Sequence, residues 1–175
     1  MFISLEFFLE RFFILLTNME NSATFFNAIR SGDLAPISEM IEETPVLLHA
    51  KDQRGSTPLI LATYYNHEEI AIFLIEKGAN IDAIDSSGNT ALMGVCFKGY
   101  TNIAEKLISY GADVNIQNGM GATSLIYAAT FKKLEIAKLL LNNGVDKTMK
   151  DARGNTALDH AKLQGVAALI DLLES

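Results

Sequence analysis

One short pattern recurs four times along this chain, and it constrains the fold more than any other feature. Asp52, Gly55, Thr57 and Leu59 return as Asp85, Gly88, Thr90 and Leu92, then as Asn118, Gly121, Thr123 and Leu125. They return a last time as Asp151, Gly154, Thr156 and Leu158, always at a spacing of 33 residues. A fixed period of this size is the signature of a stack of like supersecondary units, each too small to bury its own apolar face. A single globular core with one cleft is not what such a sequence builds.

Each residue type has a local reason to sit where it does. The threonine stands where a helix N-cap is needed, its side-chain oxygen able to accept from a first-turn N–H. Pro58 follows Thr57 at the first helical position, where a missing N–H costs nothing. An inner helix is expected from there to about Tyr65, with Leu59 and Ala62 turned inward. Asn66 and His67 then turn the chain into an outer helix carrying Ile70, Ala71, Leu74 and Ile75. Gly78 ends that helix in the left-handed conformation, with Gly111 and Gly144 in the matching places. Val95, Ala128 and Ala161 match Ala62, small residues that let successive helix pairs approach closely. Upstream, residues 22–51 read as a degenerate first unit. Ser22 or Thr24 is the expected N-cap, Phe25, Phe26, Ala28 and Ile29 form an apolar side, and a second helix spans about Leu34–Glu42. Thr44 and Pro45 stop that helix, and Val46, Leu47 and Leu48 lead back under the stack.

Charge narrows the class of partner. The 14 basic and 21 acidic residues give a net charge of −7, and no window holds a basic cluster. Phosphate neutralisation sustains nucleic-acid affinity, so DNA, RNA and anionic membranes are not expected partners. The first eighteen residues, 1–18, differ from the rest, being rich in Phe, Leu and Ile but interrupted by Glu6, Glu10 and Arg11. Two acids before the first base do not suit a secretory signal, and the uncharged run from Phe12 to Met19 is short of the ~20 residues a membrane span needs. Two readings stay open for this segment: a helix covering the apolar face of the first unit, or a stretch ahead of a true start at Met19.

Little in the sequence points to catalysis, and no cofactor or metal is expected. His49, His67 and His160 fall in different units without ligand spacing, and His67, Glu68 and Glu69 do not form the two-histidine zinc pattern. Asp159 and His160 are consecutive, so on a helix they do not face each other. Gly94 and Gly99 lack the lysine of a phosphate loop. The one cysteine, Cys96, excludes an internal disulfide and is expected to be buried and inert.

In these residues the chain resembles the ankyrin repeat family, whose turn, cap and helix-end pattern is visible in Gly55 to Leu59, Gly78 to Asp82 and Gly111 to Asn115. The resemblance implies an all-α ankyrin repeat solenoid of stacked helix-turn-helix units with short β-turn hairpin loops. Its repeats are expected at about 22–51, 52–84, 85–117, 118–150 and 151–175, within a domain running from 19 to 175. The family's histidine after the cap is replaced by Ile60, Met93, Ile126 and Asp159, which puts the tie between turn and helix in doubt. Glu174 stands where earlier copies have Ile75, Ile108 and Leu141, as a water-facing last repeat requires.

The resemblance also implies a non-catalytic protein–protein interaction module, monomeric and cytoplasmic, binding a partner protein along a concave face. The alternatives are an accessory or regulatory subunit of an enzyme or membrane system tethered by residues 1–18, or a protein secreted into a host cell. Carried over position by position, the turn tips are Gln53, Arg54 and Ser56, then Ser86, Ser87 and Asn89, then Met120, then Arg153 and Asn155. The exposed ends of the inner helices add Tyr64, Tyr65, Phe97, Lys98, Thr130 and Phe131. The rings of Tyr64, Tyr65, Phe97 and Phe131 recur where the fold needs no apolar residue, and they are expected to form one row in the groove, offered to an apolar or basic segment.

Overall fold

The computed structural model describes residues 22–175, so the expectations for residues 1–18 lie outside the described residues. Residues 22–31 are helical (α1). They are followed by α2 (Leu34–Glu43), a 3-10 turn (Pro45–His49), α3 (Pro58–Tyr64), α4 (Glu68–Glu76), α5 (Ala91–Lys98) and α6 (Thr101–Ser109). The chain closes with α7 (Ser124–Thr130), α8 (Leu134–Asn142), α9 (Ala157–Gln164) and α10 (Ala167–Glu174). The described residues contain helices and turns and no strand. Ser22 and Thr24 are themselves helical and lie inside α1 rather than capping it, ahead of the buried side that begins at Phe25. Val46 is 75% exposed while Leu47 and Leu48 are buried, so only two of those three residues return under the stack.

Helix starts follow from the repeated threonine. Thr57, Thr90, Thr123 and Thr156 each accept a hydrogen bond from the N–H three residues on, at 3.2–3.3 Å. In α9 the cap is reciprocal, since the Asp159 carboxylate accepts from the Thr156 N–H at 2.8 Å, which completes a capping box. Helix ends follow from the left-handed residue. After α4 the Gly78 N–H donates to Ile75 O and the Ala79 N–H to Leu74 O, the paired bonds of a Schellman motif. The same pair closes α6 at Gly111 and Ala112, and α8 at Gly144 and Val145.

Packing divides the helices into two layers. Inner helices α3, α5, α7 and α9 stack closely on one another, whereas outer helices α4, α6, α8 and α10 meet each other more sparsely. Ala62, Val95, Ala128 and Ala161 are fully buried between the inner helices, where a larger side chain has no room. One continuous core runs from Phe25 and Ile29 through Leu59, Leu92 and Leu125 to Leu169 and Leu173. Burial of this apolar surface along the whole array is the main stabilising term, at roughly 25 cal/mol per Å². At the far end, exposed Glu174 pairs with Lys162 at 2.9 Å.

The turn between layers is what needs glycine. Gly88 has φ +82°, and a Cβ there would meet Gly119 N at 2.7 Å; Gly154 has φ +83° with nothing within 4 Å. Both positions carry the cost of a left-handed side chain, about 1–2 kcal/mol, but only Gly88 is pressed by the next turn. Gly88→Ala is therefore expected to lower the urea midpoint clearly more than Gly154→Ala. Equal losses would show that the turns do not pack on one another.

Candidate functional site

Each turn is built around one side-chain oxygen. Asp52 Oδ1 accepts from the N–H groups of Arg54 and Ser56 at 2.9 and 3.0 Å. Asp85 does the same for Ser87 and Asn89, Asn118 for Met120 and Ala122, and Asp151 for Arg153 and Asn155, all between 2.8 and 2.9 Å. The side chain thus folds the following residues into a tight loop with a projecting tip. Successive tips are joined by backbone bonds: Ser86 N–H to Arg54 O at 3.2 Å, Gly119 N–H to Ser87 O at 2.9 Å, and Ala152 N–H to Met120 O at 2.9 Å.

The second oxygen, or the amide nitrogen of Asn118, is engaged differently in each copy, with Asn89 serving both the second and the third. Asp52 Oδ2 pairs with the Arg30 guanidinium at 3.1 Å, and Asp85 Oδ2 accepts from Asn89 Nδ2 at 3.2 Å. Asn118 Nδ2 donates to Asn89 Oδ1 at 2.8 Å and to the Tyr127 hydroxyl at 3.1 Å. Asp151 Oδ2 lies 2.8 Å from His160 Nε2. Tyr127 and His160 occupy the residue just after the family's missing histidine, and they restore the tie between turn and helix in the last two copies. The tie is made there by a side chain displaced by one position. A repeat-aligned reading that looked one residue past Ile126 and Asp159 would have found both. His67 also has a structural role, its Nε2 lying 3.1 Å from Arg30 O.

The residues singled out as a binding surface fall into distinct groups. Gln53, Arg54, Ser86, Ser87, Met120 and Arg153 are exposed at the tips. Ser56 is only 7% exposed. Its N–H bonds the Asp52 carboxylate and its carbonyl accepts from Asp52 N, so it belongs to the base of the loop, on the wall of the groove rather than at the tip. Asn89 and Asn155 are half-buried at the equivalent place. Thr130 is half-buried too, its hydroxyl donating to Ile126 O at 2.7 Å.

Aromatic side chains line the inner-helix ends, with Tyr64 39%, Tyr65 44%, Phe97 37% and Phe131 40% exposed. They form two clusters rather than one even row. Tyr64 and Tyr65 meet edge-on at 5.5 Å, as do Phe97 and Phe131 at 4.5 Å, with Tyr127 stacked on Phe131 at 6.1 Å. Lys98 Nζ lies 4.3 Å from the centre of the Tyr64 ring and stands between the clusters. A hollow of about 650 Å³ lies between Arg54, Ser86, Ser87 and the rings of Tyr64 and Tyr65. A second, of about 200 Å³, is walled by Met120, Ile126, Tyr127 and Phe131, with Arg153 and the paired Asp151 and His160 at its edge.

Among the described residues no group of three or more His, Cys, Asp and Glu is placed to hold a metal ion, and no helix is long and apolar enough to cross a membrane. Cys96 is fully buried, and burial pushes its thiol up to about 12. Hydrogen bonds from the backbone, Asn155 foremost, with His160 and Arg153, hold the Asp151 carboxyl below its ordinary value.

Asp151 and Cys96 each supply a test. Asp151→Asn keeps an acceptor at Oδ1, as Asn118 does naturally, and is expected to destabilise less than Asp151→Ala, which orphans two N–H groups and costs about 1–3 kcal/mol in urea melts. Because the Asp151 carboxyl is lowered on folding, its contribution is present above the unfolded value of about 3.9 and lost as pH falls through the folded value. Asp151→Asn should flatten that part of the acid limb. The Cys96 thiol, raised on folding, should resist a disulfide reagent at pH 8 in native protein and react fully in denaturant. Its contribution to stability is present below the unfolded thiol value of about 8.5 and is lost progressively above it.

Family models for ankyrin repeats match the chain in two overlapping stretches. A three-copy model covers residues 25–118, more than half the chain, and a many-copy model covers residues 107–161. With capped inner helices, glycine-ended outer helices and a ladder of turn tips repeated at the same period, the chain belongs to the ankyrin repeat family.

Proposed function

We propose that this chain is a non-catalytic protein-binding module, and that its partner lies along the groove between the turn tips and the inner-helix ends. Ankyrin repeats are generally protein–protein interaction modules. The observation that carries the reading for this chain is the set of half-exposed rings at Tyr64, Tyr65, Phe97 and Phe131. The stack does not need them. Its core is complete without these four side chains, and helix ends facing water ordinarily carry polar residues. Rigid aromatic side chains remove large areas from water at small entropic cost, which is why they concentrate in binding hot spots. The two hollows beside them give concave, mostly preformed surface of the kind that recognises side chains.

Gln53, Arg54, Ser86, Ser87, Met120 and Arg153 at the tips, with Lys98 in the groove, are the residues assigned to specificity, because they vary between copies while the turn oxygen and the cap do not. The test is capture with the full chain from its native cells after cross-linking, beside a Tyr65→Ser/Phe131→Ser variant of unchanged melting temperature. Proteins held by the groove should fall at least about tenfold with the variant, as loss of two hot-spot rings implies. Equal recovery of every captured protein would remove the groove as the binding surface.

A further inference from the structure

The partner's chemistry can be read from how charge is distributed across the molecule. Carboxylates of the turns are occupied internally: Asp52, Asp85 and Asp151 each bind two backbone N–H groups and a further partner. Asp159 closes its own helix cap. In the third copy the acid is replaced by the neutral Asn118. Arg54 and Arg153, by contrast, project from the tips, and Lys98 lies in the groove over Tyr64. None of these three has a carboxylate within 4.0 Å among the described residues. Exposed acids on the outer helices include Glu69, Glu76, Glu105 and Asp171, with Glu135 paired to Lys138 at 2.9 Å. An acidic molecule overall thus turns cations toward its groove.

We propose, resting on the groove reading above, that the partner presents an extended segment in which carboxylates are interspersed with apolar side chains. The hollow of about 200 Å³ between Met120, Ile126, Tyr127 and Phe131 is the seat for one apolar anchor, since a cavity of about 150 Å³ already admits a benzene ring. Arg153 at its edge meets a carboxylate beside that anchor, with the planar fork that suits carboxylate geometry. Arg54 and Lys98 meet further acids along the tyrosines. On a molecule of net charge −7, these three cations make the groove the face that favours such a segment. Of the apolar or basic segment expected from the sequence, this keeps the apolar part and replaces the basic part with acids. Single-stranded nucleic acid shares the taste for rings and cations, but three cations neutralise few phosphates, and the bulk charge opposes it.

The experiment selects displayed random peptides of about twelve residues, roughly 40 Å when extended, on the full chain. Enriched peptides are then titrated against wild type, Arg54→Glu/Lys98→Glu/Arg153→Glu, and Tyr65→Ser/Phe131→Ser, with melting temperatures as folding controls. The expected result is enrichment of Asp and Glu among Leu, Phe or Trp, and a loss of at least about tenfold in affinity with either variant. Ring-dependent peptides that are neutral or basic, or that bind the charge-reversed protein within about threefold of wild type, overturn the acidic partner while the groove stands. Failure to obtain any ring-dependent peptide overturns both readings. Oligothymidylate of the same length binding as tightly as the best peptide, at the same salt, overturns the acidic peptide in favour of nucleic acid.

Discussion

One side-chain oxygen holds each turn of this molecule in shape. At positions 52, 85, 118 and 151 it accepts two backbone N–H groups that no helix or strand would otherwise satisfy. That interaction fixes the tip, orients the threonine cap behind it, and so sets where each inner helix starts. It explains why an amide replaces the acid once without disturbing the fold. Only the acceptor is required. The second atom of the group is left to local circumstance, and four copies use it in four ways.

Because that contact is purely local, it was largely legible in the sequence. The caps at Thr57, Thr90, Thr123 and Thr156, the helix ends at Gly78, Gly111 and Gly144, and the small residues at Ala62, Ala128 and Ala161 each declare their role by type and position. What the sequence could not show is where side chains reach between copies. Lys98 meets Tyr64, and Phe131 meets Phe97, in each case one residue further on than the repeat period. A reading in strict register draws a single row there, whereas the side chains pair diagonally into two clusters. Ser56 sits away from the tip for a related reason. It follows the tip by two residues and looks like part of it, yet the loop folds back and buries it.

Tyr127 and His160 show how such a scaffold tolerates drift. The family's histidine is gone from its usual place, and the hydrogen bond it made is supplied from the next residue along the helix. The geometric demand is for a polar side chain that reaches the second atom of the turn residue, as acceptor from Asn118 Nδ2 or partner of Asp151 Oδ2. Two neighbouring positions on the inner helix satisfy it, so the sequence pattern is looser than the structure it encodes.

The ladder of tips has a mechanical meaning for any molecule that enters the groove. Backbone contact between neighbouring tips is one hydrogen bond at each step, while the inner helices below are locked by fully buried small residues. A net hydrogen bond contributes only about 1 kcal/mol, and side chains packed at crystal-like density resist displacement far more strongly. The groove therefore has a hard floor and a compliant rim. A partner that strains the tips is expected to displace the rim before it disturbs the helical stack beneath.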